Sequence, residues 1–162
     1  MGIAYFQSPL GTIEITANDG GISSVAFVET NPENISNSSD LSEAIEQLGE
    51  YFSRNRKEFT LPLAPEGTLF QKQVWRELQA IPFGEKRSYL DIAIKLGDKN
   101  LTRAVGAANG RNPIAIIIPC HRVIGENGSL TGYAGGLWRK EWLLDFESSK
   151  EQGELFAPRK SA

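Results

Sequence analysis

The chain has 162 residues and a formal net charge of -3, with one cysteine and one histidine. No apolar run approaches the ~20 residues of a membrane-spanning helix. A single cysteine closes no internal disulfide, and one cysteine with one histidine falls short of the roughly four ligands of a protein-held zinc site. Met1 to Leu10 has neither the basic stretch nor the apolar core of a secretion signal, so the chain is expected in the cytoplasm. The charge is uneven. Residues 1–69 carry three basic and ten acidic groups, a net of -7, whereas residues 84–122 carry seven basic and three acidic, a net of +4. The overall balance argues against a polyanionic partner; the basic central stretch argues for one.

In chain order, Ile13, Ile15 and Ala17 alternate with Thr12, Glu14 and Thr16, and a second such run begins at Ile22. With Asn18-Asp19-Gly20-Gly21 between them, they predict an antiparallel meander from Ile3 to Val28. A polar loop follows from Glu29 to Ser39. Asp40 and Glu43 then form a candidate capping box, ahead of Leu41, Ala44, Ile45, Leu48 and Phe52 at helical spacing. The stretch from Arg54 to Gly67, with Pro62 and Pro65, reads as a connection between domains.

Beyond it, Thr68 and Gln71 predict a second capping box, for a helix with Phe70, Val74 and Leu78 on one stripe. Ser88 and Asp91 predict a third, for a helix through Leu90, Ile92, Ala93 and Leu96 that stops at Gly97. A further helix from Asn100 to Gly110, rich in small residues, completes a helix-turn-helix-like pair. Ile114 to Ile118 is a continuous apolar run, read as a buried strand or extended segment that delivers Pro119 and Cys120. A turn at Glu126 to Ser129, a glycine-rich loop from Gly132 to Gly136 and a helix from Leu137 to Phe146 follow. The polar remainder, residues 151–162, reads as a fraying tail.

A lone cysteine after an apolar run is more often an inert thiol than a nucleophile. Three neighbours reverse that preference: Pro119 stiffens the approach, His121 brings an imidazole, and Arg122 a positive charge that favours the thiolate. On an extended segment, consecutive side chains face opposite ways, so a water is expected between Cys120 and His121.

The string Ile118-Pro119-Cys120-His121-Arg122-Val123-Ile124 resembles the active-site signature of the O6-alkylguanine-DNA alkyltransferases, or methylated-DNA-protein-cysteine methyltransferases. Phe83-Gly84, Ser88-Tyr89, Arg103-Ala104-Val105-Gly106, Asn112-Pro113, Tyr133, Gly135-Gly136-Leu137 and Lys140-Glu141-Trp142-Leu143-Leu144 follow the order and spacing of that family. The resemblance is strong from Phe70 to Glu147 and extends to the front half only in its strand and helix pattern.

The resemblance implies direct-reversal DNA repair: one irreversible transfer of an alkyl group from O6-alkylguanine in double-stranded DNA to Cys120, with O4-alkylthymine left open as a second substrate. His121 would take the thiol proton through a water, oriented by Glu147, and Tyr89 would stabilise the departing guanine at N3. Asn112 would be the hinge between recognition helix and active-site segment. Arg103 would enter the minor groove and fill the place of the flipped base, with Ala104, Gly106, Ser88 and Arg122 also at the DNA. Val123 and Tyr133 would line the substrate pocket with Ala134 and Lys140; Ala134 departs from members with serine there, leaving only a backbone donor.

The fold class so implied is α+β: a small RNase H-like amino-terminal domain over residues 1–66, then a helical domain over 67–150 with a winged helix-turn-helix-like core. No cofactor, no metal and no obligate protein partner are expected, and the protein is read as a monomer. A non-catalytic lesion binder would lack the acceptor that Cys120 supplies. A cysteine hydrolase would need a histidine farther along the chain than His121, and a helix-turn-helix regulator would read an operator, not damage.

Overall fold

The computed structural model describes residues 2–29 and 37–148. Most of the polar loop predicted after Glu29 and all of the predicted tail lie outside the described residues. Strands β1 (Gly2–Ser8), β2 (Gly11–Asn18) and β3 (Gly21–Val28) form the expected antiparallel meander in the order β1-β2-β3. Ile13 and Ile15 face inward and are fully buried, which fixes the register, since a slip of one residue would turn both to solvent. At the second hairpin Gly21 has φ 135°, and the carbonyl of Pro62 packs where a side chain would stand, so glycine is required there.

The outer edge of β3 is covered by two later segments. The amide of Ile22 donates to Pro62 O at 2.9 Å and that of Ala64 to Ile22 O at 2.7 Å. Farther along the strand, Val25 N donates to Pro113 O at 2.9 Å and Ala115 N to Val25 O at 3.0 Å. The edge is thereby protected from pairing with another chain, and the segment leading to Cys120 is fastened to the sheet.

Helix α1 (Ser42–Phe52) buries Ala44, Gln47, Leu48 and Tyr51. Its start differs from the Asp40/Glu43 box read in the sequence: a 3-10 turn over Ser39–Leu41 precedes it, and its first residues have no side-chain cap. The other two boxes are present. Helix α2 (Leu69–Gln79) has Thr68 and Gln71 exchanging side-chain and backbone bonds, and α3 (Tyr89–Lys95) has Ser88 and Asp91 doing the same. Such caps each contribute about 1 kcal/mol. Trp75 of α2 is buried and donates its indole N–H to Ala108 O at 2.9 Å, tying α2 to α4 (Thr102–Gly110). A 3-10 turn over Lys99–Leu101, capped by Asp98, connects α3 to α4 as in a helix-turn-helix.

Strand β4 (Arg87–Ser88) pairs in parallel with β5 (Val123–Ile124), and α5 (Leu137–Ser148) ends the described chain. One buried apolar cluster runs from Ala4 through Leu48, Trp75, Val105 and Ile118 to Phe146. The fold is thus a small sheet with its helix, followed by a mainly helical half.

The run from Ile114 to Ile118 is buried as expected except at Ala115, which is half-buried, but it is not a strand. Ile114 alone bridges to Val25, and the chain then winds through tight turns, with Ile117 N donating to Ala115 O at 2.8 Å and Ile118 N to Ile114 O at 3.0 Å. Ile116 has φ 71°, uncommon for a β-branched residue and a local strain of about 1–3 kcal/mol. The apolar side chains are satisfied by burial on several sides, which turns provide as well as a strand does.

Candidate active site

Cys120, His121 and Arg122 form a single 3-10 turn, N-capped by Pro119, in place of the extended segment read in the sequence. Successive residues of such a turn lie about 120° apart; the Cys120 side chain parts from those of His121 and Arg122, which both bond Glu147. The Cys120 side is polar. Burial pushes the thiol up from its ordinary value, while a hydrogen bond from Asn112 and the charge of Lys140 pull it back. Arg122 does not supply the positive charge that the sequence reading assigned to it.

Asn112 also holds the local backbone. Its Nδ2 donates to Ile118 O at 2.8 Å and its Oδ1 accepts from Ile114 N at 3.0 Å, pinning both ends of the strained turn. Asn109, on the last turn of α4, donates to Cys120 O at 3.3 Å. It was not singled out in the sequence, although a buried asparagine at the end of a recognition helix is an unusual choice unless it binds backbone.

His121 is completely buried, with Nε2 2.8 Å from Glu147 Oε2. Its Nδ1 is buried without a partner among the described residues. An Nε2–H directed at the carboxylate makes Nδ1 the accepting nitrogen of the neutral imidazole.

Glu147, near the end of α5, is only 4% exposed and gathers four donated bonds. Arg122 binds it in a fork, Nε to Oε1 at 2.7 Å and Nη2 to Oε2 at 3.0 Å, and sends Nη1 to Ile81 O at 2.7 Å. His121 supplies the third, and the hydroxyl of Tyr51, on α1, the fourth at 2.6 Å. Burial pushes the Glu147 carboxyl up, but attraction to His121 and the bonds from His121 and Arg122 outweigh it and hold the acid far below the usual carboxylate range. The buried charge is thus matched by an equally buried guanidinium, the condition under which a buried ion pair is tolerated.

This geometry corrects the placing of Arg122 at the DNA: it is 6% exposed and its donors are committed to Glu147 and Ile81. The other residues named for DNA contact lie elsewhere. Arg103 and Ala104 are exposed near the start of α4, Gly106 is half-buried, and Ser88 is half-buried as the N-cap of α3. A side chain at Gly106 would stand 3.9 Å from the Tyr89 ring, which sets that face of α4 beside Tyr89.

Tyr89 and Lys140 meet at Thr131, just before the glycine-rich loop. The Tyr89 hydroxyl lies 3.2 Å from Thr131 O; Lys140, fully buried although it is a lysine, donates to Thr131 O at 2.8 Å and to the Tyr89 hydroxyl at 3.4 Å. Tyr133 is buried and its hydroxyl has no partner among the described residues. Burial and the nearness of Cys120 raise its pKa well above the ordinary tyrosine value. Val123 is buried in β5, and Ala134 is exposed in the loop.

Residues 69–149 match the model of the 6-O-methylguanine DNA methyltransferase DNA-binding domain, and residues 1–65 that of its ribonuclease-like domain. The chain belongs to this family. Among its relatives, a methylated-DNA--protein-cysteine methyltransferase of Methanosarcina acetivorans is 49% identical over 155 residues, spanning 92% of this chain and 99% of the relative. Another of that name, from Mycolicibacterium paratuberculosis, is 46% identical over 92% and 93% of the two chains. The crystal structure of Mycobacterium tuberculosis O6-methylguanine methyltransferase superposes with a TM-score of 0.82 at 41% identity, covering 94% of this chain and 97% of that one. A further structure of the mycobacterial protein, in complex with DNA, gives 0.81 at 42% identity, over 93% and 96%.

Tyr51, like Asn109, is a site residue that the sequence reading missed. It lies at helical spacing from Ala44 and Leu48, on the stripe from which Phe52 was chosen instead. A tyrosine placed that deep needs a partner for its hydroxyl, and this was the available signal.

Proposed function

We propose that the protein repairs alkylated DNA by direct reversal, moving the alkyl group from O6 of an alkylated guanine to the sulfur of Cys120. Supporting observations are the family membership, the relatives' names and the solved complex of a mycobacterial relative with DNA. The observation that carries the reading is the thiol set between Asn112 and Lys140 with the buried His121–Glu147 pair behind it.

The thiol proton passes through a water to Nδ1 of His121, whose developing charge Glu147 stabilises. The thiolate attacks the alkyl carbon in line, a C–S bond forms, and the O6–C bond breaks with its electron pair going to the guanine. Tyr89 supplies the hydrogen bond or proton at N3, and Lys140, donating to its hydroxyl, strengthens it as a donor. The backbone of Cys120 and Val123, with the loop at Tyr133 and Ala134, surrounds the base. No cofactor enters this balance. The thioether formed is stable, so each molecule turns over once.

The target base is unreachable in the duplex and must be everted. Arg103, exposed beside the small residues Ala104 and Gly106, takes its place in the stack from the minor groove, while basic side chains of α3, α4 and their connections meet phosphates. We place the boundary between the halves at residues 66 and 67, with the DNA-binding half over 67–150, and take the protein to act as a monomer in the cytoplasm. No helix among the described residues is long and apolar enough to cross a membrane.

The test is incubation with duplex DNA containing O6-methylguanine, followed by peptide mass spectrometry. One methyl mass on the Cys120 peptide is expected, and its absence from folded protein would overturn the reading. Arg103→Ala should reduce repair of duplex DNA by roughly tenfold or more, since the few kcal/mol of unstacking go uncompensated, while reaction with the free base is little changed. Equal losses on both substrates would remove Arg103 from the role of finger.

A further inference from the structure

We propose that Tyr51, contributed by the amino-terminal half, is a positioning residue for the alkyl transfer, its hydroxyl holding Glu147 Oε2 and limiting how strongly that carboxylate draws on His121. The inference rests on the alkyl-transfer reading for its function but not for its geometry. The hydroxyl donates to Oε2 at 2.6 Å, and the same oxygen lies 2.8 Å from His121 Nε2. Tyr51 is fully buried and its ring is held among Phe52, Phe59, Phe83 and Phe146, with centroids 5.0 to 6.0 Å away.

The Tyr51 hydroxyl, Arg122 Nη2 and His121 Nε2 all bond Oε2 and compete for the same electron density. A carboxylate that already accepts a short bond from a phenol is a weaker base toward imidazole, so the hydroxyl works against protonation of His121 and leaves Nδ1 free to accept the thiol proton. The groups around the pair act in different directions. The negative charge of Glu147 on α5 favours the imidazolium, and Arg122, next along the chain, disfavours it. Lys140 of α5 lies on the thiol side together with Cys120 itself and Tyr133, while Tyr51 is the contribution from α1. Burial and the neighbouring carboxylate keep Tyr51 itself protonated far above neutral pH, so it donates throughout the working range. A ring that only filled space could be phenylalanine.

The sequence holds one histidine, so its imidazole C2 proton is an unambiguous probe by nuclear magnetic resonance, independent of activity. In Tyr51→Phe, which keeps the ring, the titration curve of that proton should move to higher pH, and the acidic limb of the methyl-transfer profile should move up with it. DNA affinity should be unchanged. A folded variant whose imidazole midpoint stays put or moves down overturns the inference. A wild-type protein that takes up no methyl overturns the alkyl-transfer reading while the imidazole titration still decides this one. Should Tyr51→Phe fail to fold, the unsubstituted protein decides. Its Tyr51 hydroxyl proton should exchange slowly enough with water to be seen at low field, and free exchange would overturn the proposal.

Discussion

Cys120→Ser is expected to abolish methyl uptake altogether while the protein still binds duplex DNA carrying O6-methylguanine. Serine nearly matches cysteine in size, so the bonds from Asn112 and Asn109 and the charge of Lys140 should survive around it. What is lost is the nucleophile. A hydroxyl without an adjacent strong base is a weak one at its free acidity, whereas sulfur is intrinsically reactive even when a small fraction is ionised. Because burial holds the Cys120 thiol above its ordinary value, the resting group is mostly protonated, and reaction depends on His121 removing the proton when the base is in place. Mass spectrometry should find the variant unmodified after long incubation, and fluorescence anisotropy should find its affinity for the lesion within a few-fold of wild type. Methyl transfer to any other residue of the variant would mean that Cys120 is not the acceptor.

Glu147→Ala should be the most destabilising single change at the site, costing about 3–5 kcal/mol in urea unfolding at neutral pH. It strands the Arg122 guanidinium, 6% exposed, without its anion, and removes the partner of both His121 Nε2 and the Tyr51 hydroxyl. The effect has a defined pH dependence. Glu147 titrates far below its ordinary 4.5 in the folded protein, because His121 and Arg122 outweigh the opposing effect of burial. Its contribution is therefore complete above that ordinary value and is lost as the pH falls below it toward the lower folded-state value. The stability gap between wild type and variant should shrink steadily on acidification from pH 5. A gap independent of pH over that interval would mean that the carboxylate's charge is not what holds this region together.

Both ends of the fold were legible in the sequence for local reasons. Alternation around Ile13 and Ile15 and the turn at Asn18 to Gly21 produced the meander, and Thr68 with Gln71 and Ser88 with Asp91 marked two helix starts that the structure bears out. Asp40 and Glu43 had the same spacing without the same outcome, since Leu41 is buried and the chain enters α1 through a tighter turn. The apolar run at Ile114 to Ile118 announced burial but not conformation, because such a run suits any backbone enclosed on several sides. Arg122 and Tyr51 were illegible for a different reason. Each owes its place to Glu147, 25 positions from the arginine and 96 from the tyrosine. A charge or hydroxyl whose partner is that distant looks, in one dimension, like surface.

The bonding of Val25 to Pro113 and Ala115 bears on the order of assembly. Synthesis delivers the meander first, so β3 already exists as a template when the reactive segment leaves the ribosome. Until the later chain docks on that waiting edge, the cysteine is an ordinary thiol on an unfinished polypeptide, lacking the neighbours that would let it react. Competence for a chemistry that happens once is thus conferred only when a strand of the early meander receives a segment made much later in the chain.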